Sequence, residues 1–98
     1  MNIKKELEGK TLKAQLEGNL DTITSVQFEN EIIPFLNDID LLVLDFQNLS
    51  YVSSAGLRVL LVAQKKMEQK GKMVIKNVNE EIREIFDMTG FINFLTII

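Results

Sequence analysis

Apolar and polar residues alternate strictly between residues 11 and 17. A period of two is typical of a strand that turns one face to a core and the other to water. Residues 3–8 precede this segment, and Gly9 lies in the short link between the two. The pattern predicts an N-terminal β-hairpin, followed by a loop at residues 18–21 because glycine and polar residues cluster there.

The apolar spacing becomes helical between residues 24 and 36. Thr22 or Thr24 is predicted to cap this helix. Pro34 lacks a hydrogen-bond donor and clashes with the preceding helical turn, so we expect a kink or an early end there. The side chains predicted to face the core are Val26, Phe28, Ile32, Ile33 and either Phe35 or Leu36.

Two strands and two further helices alternate in the rest of the chain. The apolar run within residues 41–46 predicts a strand that is buried on both faces. A helix follows Ser54 and ends at Gly71, residues 72–77 form another strand, and a third helix spans residues 80–88. This order predicts a single α/β domain, in which a hairpin and βαβ units form a mixed sheet with helices packed on it.

Length and charge narrow the range of partners. The 98 residues are enough for one domain with a core, and 46% of them are hydrophobic. The formal net charge is -3, with acidic and basic residues mixed along the chain, so we do not expect nucleic acid as a partner. The apolar runs are far shorter than a membrane span, which takes roughly 20 residues, and we expect a cytoplasmic protein.

Cysteine and histidine are both absent from the chain. Disulfides, zinc sites of the usual kinds, thiol chemistry and imidazole-based catalysis are therefore excluded. No metal site or cofactor is predicted, and we do not expect an enzyme. Carboxylates, hydroxyls, lysines and arginines remain, so this protein could carry a chemical modification that another protein makes.

Ser53 and Ser54 lie at the predicted start of the second helix. The first backbone N–H groups of a helix lack partners, and the helix dipole favours an anion there. Either serine could serve only as a structural cap. Either could also accept a phosphate that the fold tolerates. Asp21 and Asp45 each lie just past a predicted strand end, so we expect both at one edge of the sheet, as site residues or as turn and capping residues.

Three segments of the chain resemble the STAS family, the sulfate-transporter and anti-sigma-factor-antagonist domains. Residues 44–61, LDFQNLSYVSSAGLRVLL, resemble the signature segment of the family. Residues 17–21, EGNLD, are similar to its Gly-x-Leu-Asp element, and residues 85–91, IFDMTGF, to its closing segment. Because these pieces come in the family order and spacing, the resemblance implies one STAS domain over residues 1–98.

The resemblance also implies a phosphoacceptor. In the bacterial antagonists an acidic residue commonly precedes the acceptor serine, and a second hydroxyl follows it just ahead of Gly-Leu. Aligning Gly56-Leu57 with that pair places Ser54 at the acceptor position, with Ser53 at the acidic position and Ala55 at the second hydroxyl. Ser54 is therefore the predicted acceptor, and Ser53 is the second choice.

By resemblance, the chain is a regulator of transcription that binds an anti-sigma factor, which is also a serine kinase. Phosphorylation would weaken that binding, and a serine phosphatase would restore it. The predicted contact surface contains Asp21, Ser53, Ser54, Gly56 and Leu57, and the free protein is predicted to be a monomer. Two alternatives remain. One is a constitutive STAS binding module of a transport or sensory complex, and the other is a small-molecule or nucleotide binder at the helix N-terminus.

Overall fold

A four-stranded mixed sheet forms the centre of the computed structural model, which describes residues 1–98. The strands are β1 Asn2–Glu8, β2 Thr11–Leu20, β3 Leu41–Val52 and β4 Lys72–Lys76. Their spatial order is the chain order, with β1 antiparallel to β2 and with β2, β3 and β4 mutually parallel. The predicted α/β domain, with a hairpin followed by βαβ units, is confirmed.

Three α-helices connect and follow the parallel strands. They are α1 Thr22–Glu31, α2 Ser54–Glu68 and α3 Glu80–Thr89, and the shorter 3₁₀ helices are Ile33–Asn37 and Phe91–Asn93. The early end predicted at Pro34 is confirmed, because α1 stops at Glu31 and Pro34 lies in the first turn of a 3₁₀ helix. A proline is tolerated in a first turn, where its missing N–H has no helical partner to lose.

The sheet has one apolar face and one polar face, because side chains alternate along each strand. The crossovers through α1 and α2 advance in the same direction across the sheet, so right-handed connections place both helices on the apolar face. Buried side chains of that face pack with helical residues in one core; they include Leu12, Leu16, Leu42, Leu44, Met73 and Ile75 from the strands and Phe28, Leu60, Ile82 and Phe86 from the helices.

Strand β2 is longer than the sequence pattern indicates. The predicted loop at residues 18–21 is wrong for its first three residues, because β2 continues to the buried Leu20. The register with β3 shifts next to Gly18, whose φ is +109°, a backbone conformation that glycine adopts readily. The strand therefore passes through a bulge and continues.

Strand β3 is also longer than predicted, and this moves Asp45. β3 reaches Val52 because β2, with two register shifts, offers it pairing partners as far as that residue. Asp45 consequently lies inside the strand, on the polar face and 8% exposed, and not past a strand end beside Asp21. Its carboxylate accepts hydrogen bonds from the Asn77 side chain at 2.9 Å, the Gln47 N–H at 3.0 Å and the Gln15 side chain at 3.4 Å.

The inward face of α1 differs from the predicted one. Val26 was predicted to face the core, but its side chain is 56% exposed. The residues of this helix that are buried are Ser25 and Phe28, and the buried Ile32 follows at the helix end. Spacings of three and four residues put these side chains on one face, which leaves Val26 outside.

Hydrogen bonding also determines how Asp45 titrates. Burial opposes ionisation of this carboxyl, but the donors on Asn77, Gln47 and Gln15, together with the nearby charge of Lys76, outweigh that effect and hold the pKa of Asp45 below its ordinary value. A carboxyl whose pKa is lower in the folded state stabilises the fold above its unfolded-state pKa. That contribution is lost as the pH falls through the folded-state pKa.

Replacing Asp45 by asparagine should lower the free energy of unfolding at neutral pH by about 1–3 kcal/mol, because an amide has one acceptor oxygen for these donors. The difference from the wild type should shrink as the pH falls through the acid range. Urea unfolding at several pH values measures both effects. The control is Asp38→Asn, which changes an exposed carboxylate and should cost less than about 0.5 kcal/mol. A difference that stays constant with pH would contradict this role of the Asp45 charge.

Candidate functional site

Helices α1 and α2 begin side by side at the carboxyl ends of two paired strands. Leu20, the last residue of β2, is the register partner of Val52, the last residue of β3. The Ser53 N–H donates to the Leu20 carbonyl oxygen at 2.9 Å, which ties the start of α2 to the chain just ahead of α1. Open α/β sheets place their binding sites at this edge.

The two serines at the start of α2 have different roles in the fold. Ser53 is the N-cap, and its Oγ accepts a hydrogen bond from the Gly56 N–H at 3.2 Å. Its side chain is half-buried, whereas Ser54, the first residue of the helix, is exposed. The structure therefore leaves the Ser54 hydroxyl accessible next to the electropositive helix end.

Asp21 caps α1, so the predicted caps Thr22 and Thr24 are wrong. Its Oδ1 accepts hydrogen bonds from the Ile23 and Thr24 N–H groups, both at 3.0 Å. The Thr24 hydroxyl in turn accepts the Asp21 N–H at 2.7 Å, which completes a capping box. A carboxylate is a stronger acceptor than a hydroxyl and benefits from the helix dipole, which accounts for this choice of cap.

The same contacts keep Asp21 ionised. The Thr24 N–H has the largest effect and, with the Thr24 hydroxyl and the Ile23 N–H, holds the pKa of Asp21 below its ordinary value, while desolvation opposes them. At neutral pH a fixed negative charge therefore lies at the N-terminus of α1, on the same sheet edge as Ser53 and Ser54.

Gly56 and Leu57 are buried in the first turn of α2 and pack it against the sheet. A Cβ on Gly56 would lie 2.5 Å from the Leu20 carbonyl oxygen and 2.9 Å from a Val52 methyl group. Leu57 is 5% exposed. Neither residue presents a side chain to solvent, and their contact with a partner stays a prediction.

Two exposed apolar residues that the sequence analysis did not place at the site lie on α1, shortly after Asp21. Ile23 is 82% exposed and Val26 is 56% exposed, on the first two turns of α1. The available signal was the spacing of Ser25, Phe28 and Ile32, which defines the inner face and excludes Val26 from it. Large exposed apolar side chains near one another are typical of interaction surfaces.

No three acidic side chains are grouped so that they could hold a metal ion. None of the helices combines the length and the apolar composition that a bilayer crossing requires.

The fold and the site define a class of small α/β domain in which a serine hydroxyl starts the helix after a central parallel strand. The chain belongs to the STAS domain family, whose profile matches residues 2–98. BtrV of Bordetella bronchiseptica is 33% identical to it over 88 residues, which are 88% of this chain and 76% of BtrV. The anti-sigma F factor antagonist of Paenibacillus polymyxa is 31% identical over 102 residues, covering 99% of this chain and 87% of the relative.

Solved structures agree with this assignment at the level of the fold. The Bacillus cell fate determinant SpoIIAA, in its phosphorylated form, superposes with a TM-score of 0.78 at 20% sequence identity. The match covers 99% of this chain and 91% of SpoIIAA. The resemblance to the STAS family that the sequence motifs carry is thereby confirmed.

Because Gly56 lies so close to the Leu20 carbonyl, we expect alanine at this position to destabilise the fold, although alanine usually stabilises a helix relative to glycine. Within a helix, alanine is ordinarily favoured over glycine by about 1 kcal/mol. Here we expect Gly56→Ala to lower the free energy of unfolding by about 2–4 kcal/mol, because the added methyl group meets backbone atoms that cannot move alone. Thermal or urea unfolding measures the change.

Gly9→Ala is the matched control for this substitution. Gly9 has a φ of +60° and no neighbouring atom within 4 Å of an added Cβ. Its replacement should therefore cost only the backbone strain, about 1–2 kcal/mol. A Gly56→Ala variant as stable as the wild type would show that α2 does not rest on β2 as described.

Proposed function

We propose that this chain is an anti-sigma factor antagonist that is switched by phosphorylation of Ser54. The observation that carries the proposal is the exposed Ser54 hydroxyl at the start of α2, on the same sheet edge as the ionised Asp21. A relative that the match covers to 87% is named an anti-sigma F factor antagonist, and SpoIIAA, which shares the fold, has been solved in a phosphorylated form.

Geometry favours Ser54 over Ser53 as the acceptor. The Ser53 oxygen already accepts the Gly56 N–H, and its side chain is half-buried. A kinase would have to break this cap before it could transfer a phosphoryl group. The Ser54 oxygen is exposed, and a phosphate on it would lie beside free N–H groups at the positive end of α2. The fold can therefore carry the modified residue without rearrangement.

The switch would act through charge. A phosphoserine adds close to two negative charges at neutral pH. Asp21 already places a carboxylate at this edge, so phosphorylation concentrates negative charge on one small surface. A partner that buries Asp21 and a neutral Ser54 would lose affinity when it must also desolvate a phosphate. Removal of the phosphate by a phosphatase would restore binding.

Ile23 and Val26 supply the apolar part of the proposed contact surface. Both side chains are exposed on the first two turns of α1, and Asp21 caps the same helix. Partner surfaces commonly combine a few large apolar side chains with polar groups at the rim. The anti-sigma factor would accordingly cover Ile23 and Val26 while it contacts Asp21 and Ser54.

The phosphoacceptor is tested by incubating the protein with ATP and the anti-sigma factor kinase of its own organism. Intact-mass spectrometry should show a gain of one phosphoryl group in the wild type and none in Ser54→Ala. The matched control is Ser53→Ala, which removes the neighbouring hydroxyl and should still be phosphorylated. An unmodified wild type, or a Ser54→Ala variant that is modified as fully as the wild type, would exclude Ser54 as the switch.

A Ser54→Asp variant that binds its partner as well as the wild type would favour a constitutive binding module.

The contact surface is tested with Ile23→Ser. We expect this change to weaken binding to the anti-sigma factor by about tenfold, which corresponds to about 1.4 kcal/mol, because an apolar anchor is removed. Stability should change by less than about 0.5 kcal/mol, since the side chain is exposed. The control is Met88→Ser on α3, where the side chain is 80% exposed and lies on another helix. Calorimetry measures the affinities. An equal loss of affinity in both variants, or no loss in either, would contradict the proposal that the partner contacts Ile23.

A further inference from the structure

The polar face of the sheet holds a cavity of about 300 Å³ that the proposed switch does not use. The strand registers align Lys4 with Gln15, Gln15 with Asp45, and Asp45 with Lys76. These four side chains form one row across all four strands, and Lys13 lies in the neighbouring row. We call the site formed by Lys4, Lys13, Gln15, Asp45 and Lys76 the lysine cavity.

Two of its three ammonium groups lack an ion-pair partner. The ion pairs of the structure join Lys5 to Glu31 at 3.3 Å and Lys13 to Glu8 at 3.8 Å. Lys4 is exposed and Lys76 is half-buried, and neither takes part in such a pair. Their positive charges are therefore available to a bound anion.

The acidic residues of the cavity offset these charges only in part. The charge of Lys76 acts on Asp45 and helps to lower the pKa of that carboxyl, but no carboxylate forms an ion pair with Lys4 or Lys76. Asp45 is buried, and its two carboxylate oxygens already accept hydrogen bonds from Gln15, Gln47 and Asn77. Glu6 is the one exposed carboxylate among the lining residues, and it stands opposite Lys13 in the hairpin register. The floor is thus a fixed, hydrogen-bonded network, and the walls are mostly lysines, with Glu6 among them.

We propose that the lysine cavity binds a small anion that carries two linked phosphate groups. Adjacent strands lie about 4.8 Å apart, so the backbones of Lys4 and Lys76 are separated by about 14 Å. Lysine side chains are flexible four-carbon arms that bind phosphate as point charges, and arms from both sides can converge on one ligand. This proposal is independent of the phosphorylation switch, because Ser54 lies on the order of 20 Å further along β3 and beyond its end.

The test is a titration with inorganic pyrophosphate at constant ionic strength, followed by amide chemical shifts in NMR spectra. Wild-type protein should show saturable shifts at residues 4, 13–15, 45 and 76. Lys4→Gln and Lys76→Gln should each weaken the affinity by about tenfold, the size of one charge-assisted hydrogen bond. Lys76→Arg keeps the charge and should bind within about threefold of wild type.

The matched control is Lys65→Gln, which removes an exposed lysine from α2, outside the cavity, and should bind like wild type. Shifts that never saturate, or affinities that fall equally in the control and in Lys76→Gln, would overturn the proposal. Saturable shifts confined to residues 53–56 would overturn it as well, because they would assign the anion to the start of α2. The wild-type titration decides the question even if a lysine variant fails to fold.

Discussion

The contact between Gly56 and the Leu20 carbonyl is the constraint on which the site depends. It brings the first turn of α2 against the end of β2 so closely that no side chain fits between them. The Ser53 N–H donates a hydrogen bond to the same carbonyl oxygen, so this one atom both contacts Gly56 and accepts a hydrogen bond. Because the next residue, Asp21, is the N-cap of α1, this single carbonyl fixes the relative position of both helix starts.

A rigid edge of this kind suits a switch that works by charge. Backbone N–H groups hold the Ser53 hydroxyl and the Asp21 carboxylate, and this fixes the helix start that carries Ser54. The N-terminus of a helix compensates added negative charge, so a phosphate can be accepted without the loss of a core contact. What changes is the surface that a partner must desolvate. Under the proposed function, the fold separates stability, which comes from the core, from recognition at the two helix starts.

Local signals in the sequence predicted the order of the elements, the hairpin, the position of the serines at a helix start and the early end of α1. Local signals could not predict the lengths of β2 and β3. Gly18 and Asn19 have turn-forming character, yet β3 pairs with them through a bulge, and that pairing is a contact between distant parts of the chain. For the same reason Asp45 was predicted at a strand end, whereas it lies within a ladder on the polar face.

The difference between the predicted and the observed buried face of α1 has another physical cause. Ser25 is buried in this helix while Ile23 and Val26 face water, which is the reverse of what burial of apolar surface alone would favour. The Ser25 hydroxyl compensates its burial by donating to the Asp21 carbonyl oxygen, so the fold tolerates the exchange. Exposure of the two apolar side chains brings no gain within the isolated chain. Sequences depart from the rule of apolar residues inside and polar residues outside where another requirement competes with stability. Here the exceptions lie on the two helical turns that follow Asp21. The exposure of Ile23 and Val26 beside a buried serine therefore supports the proposal that a partner covers this face of α1.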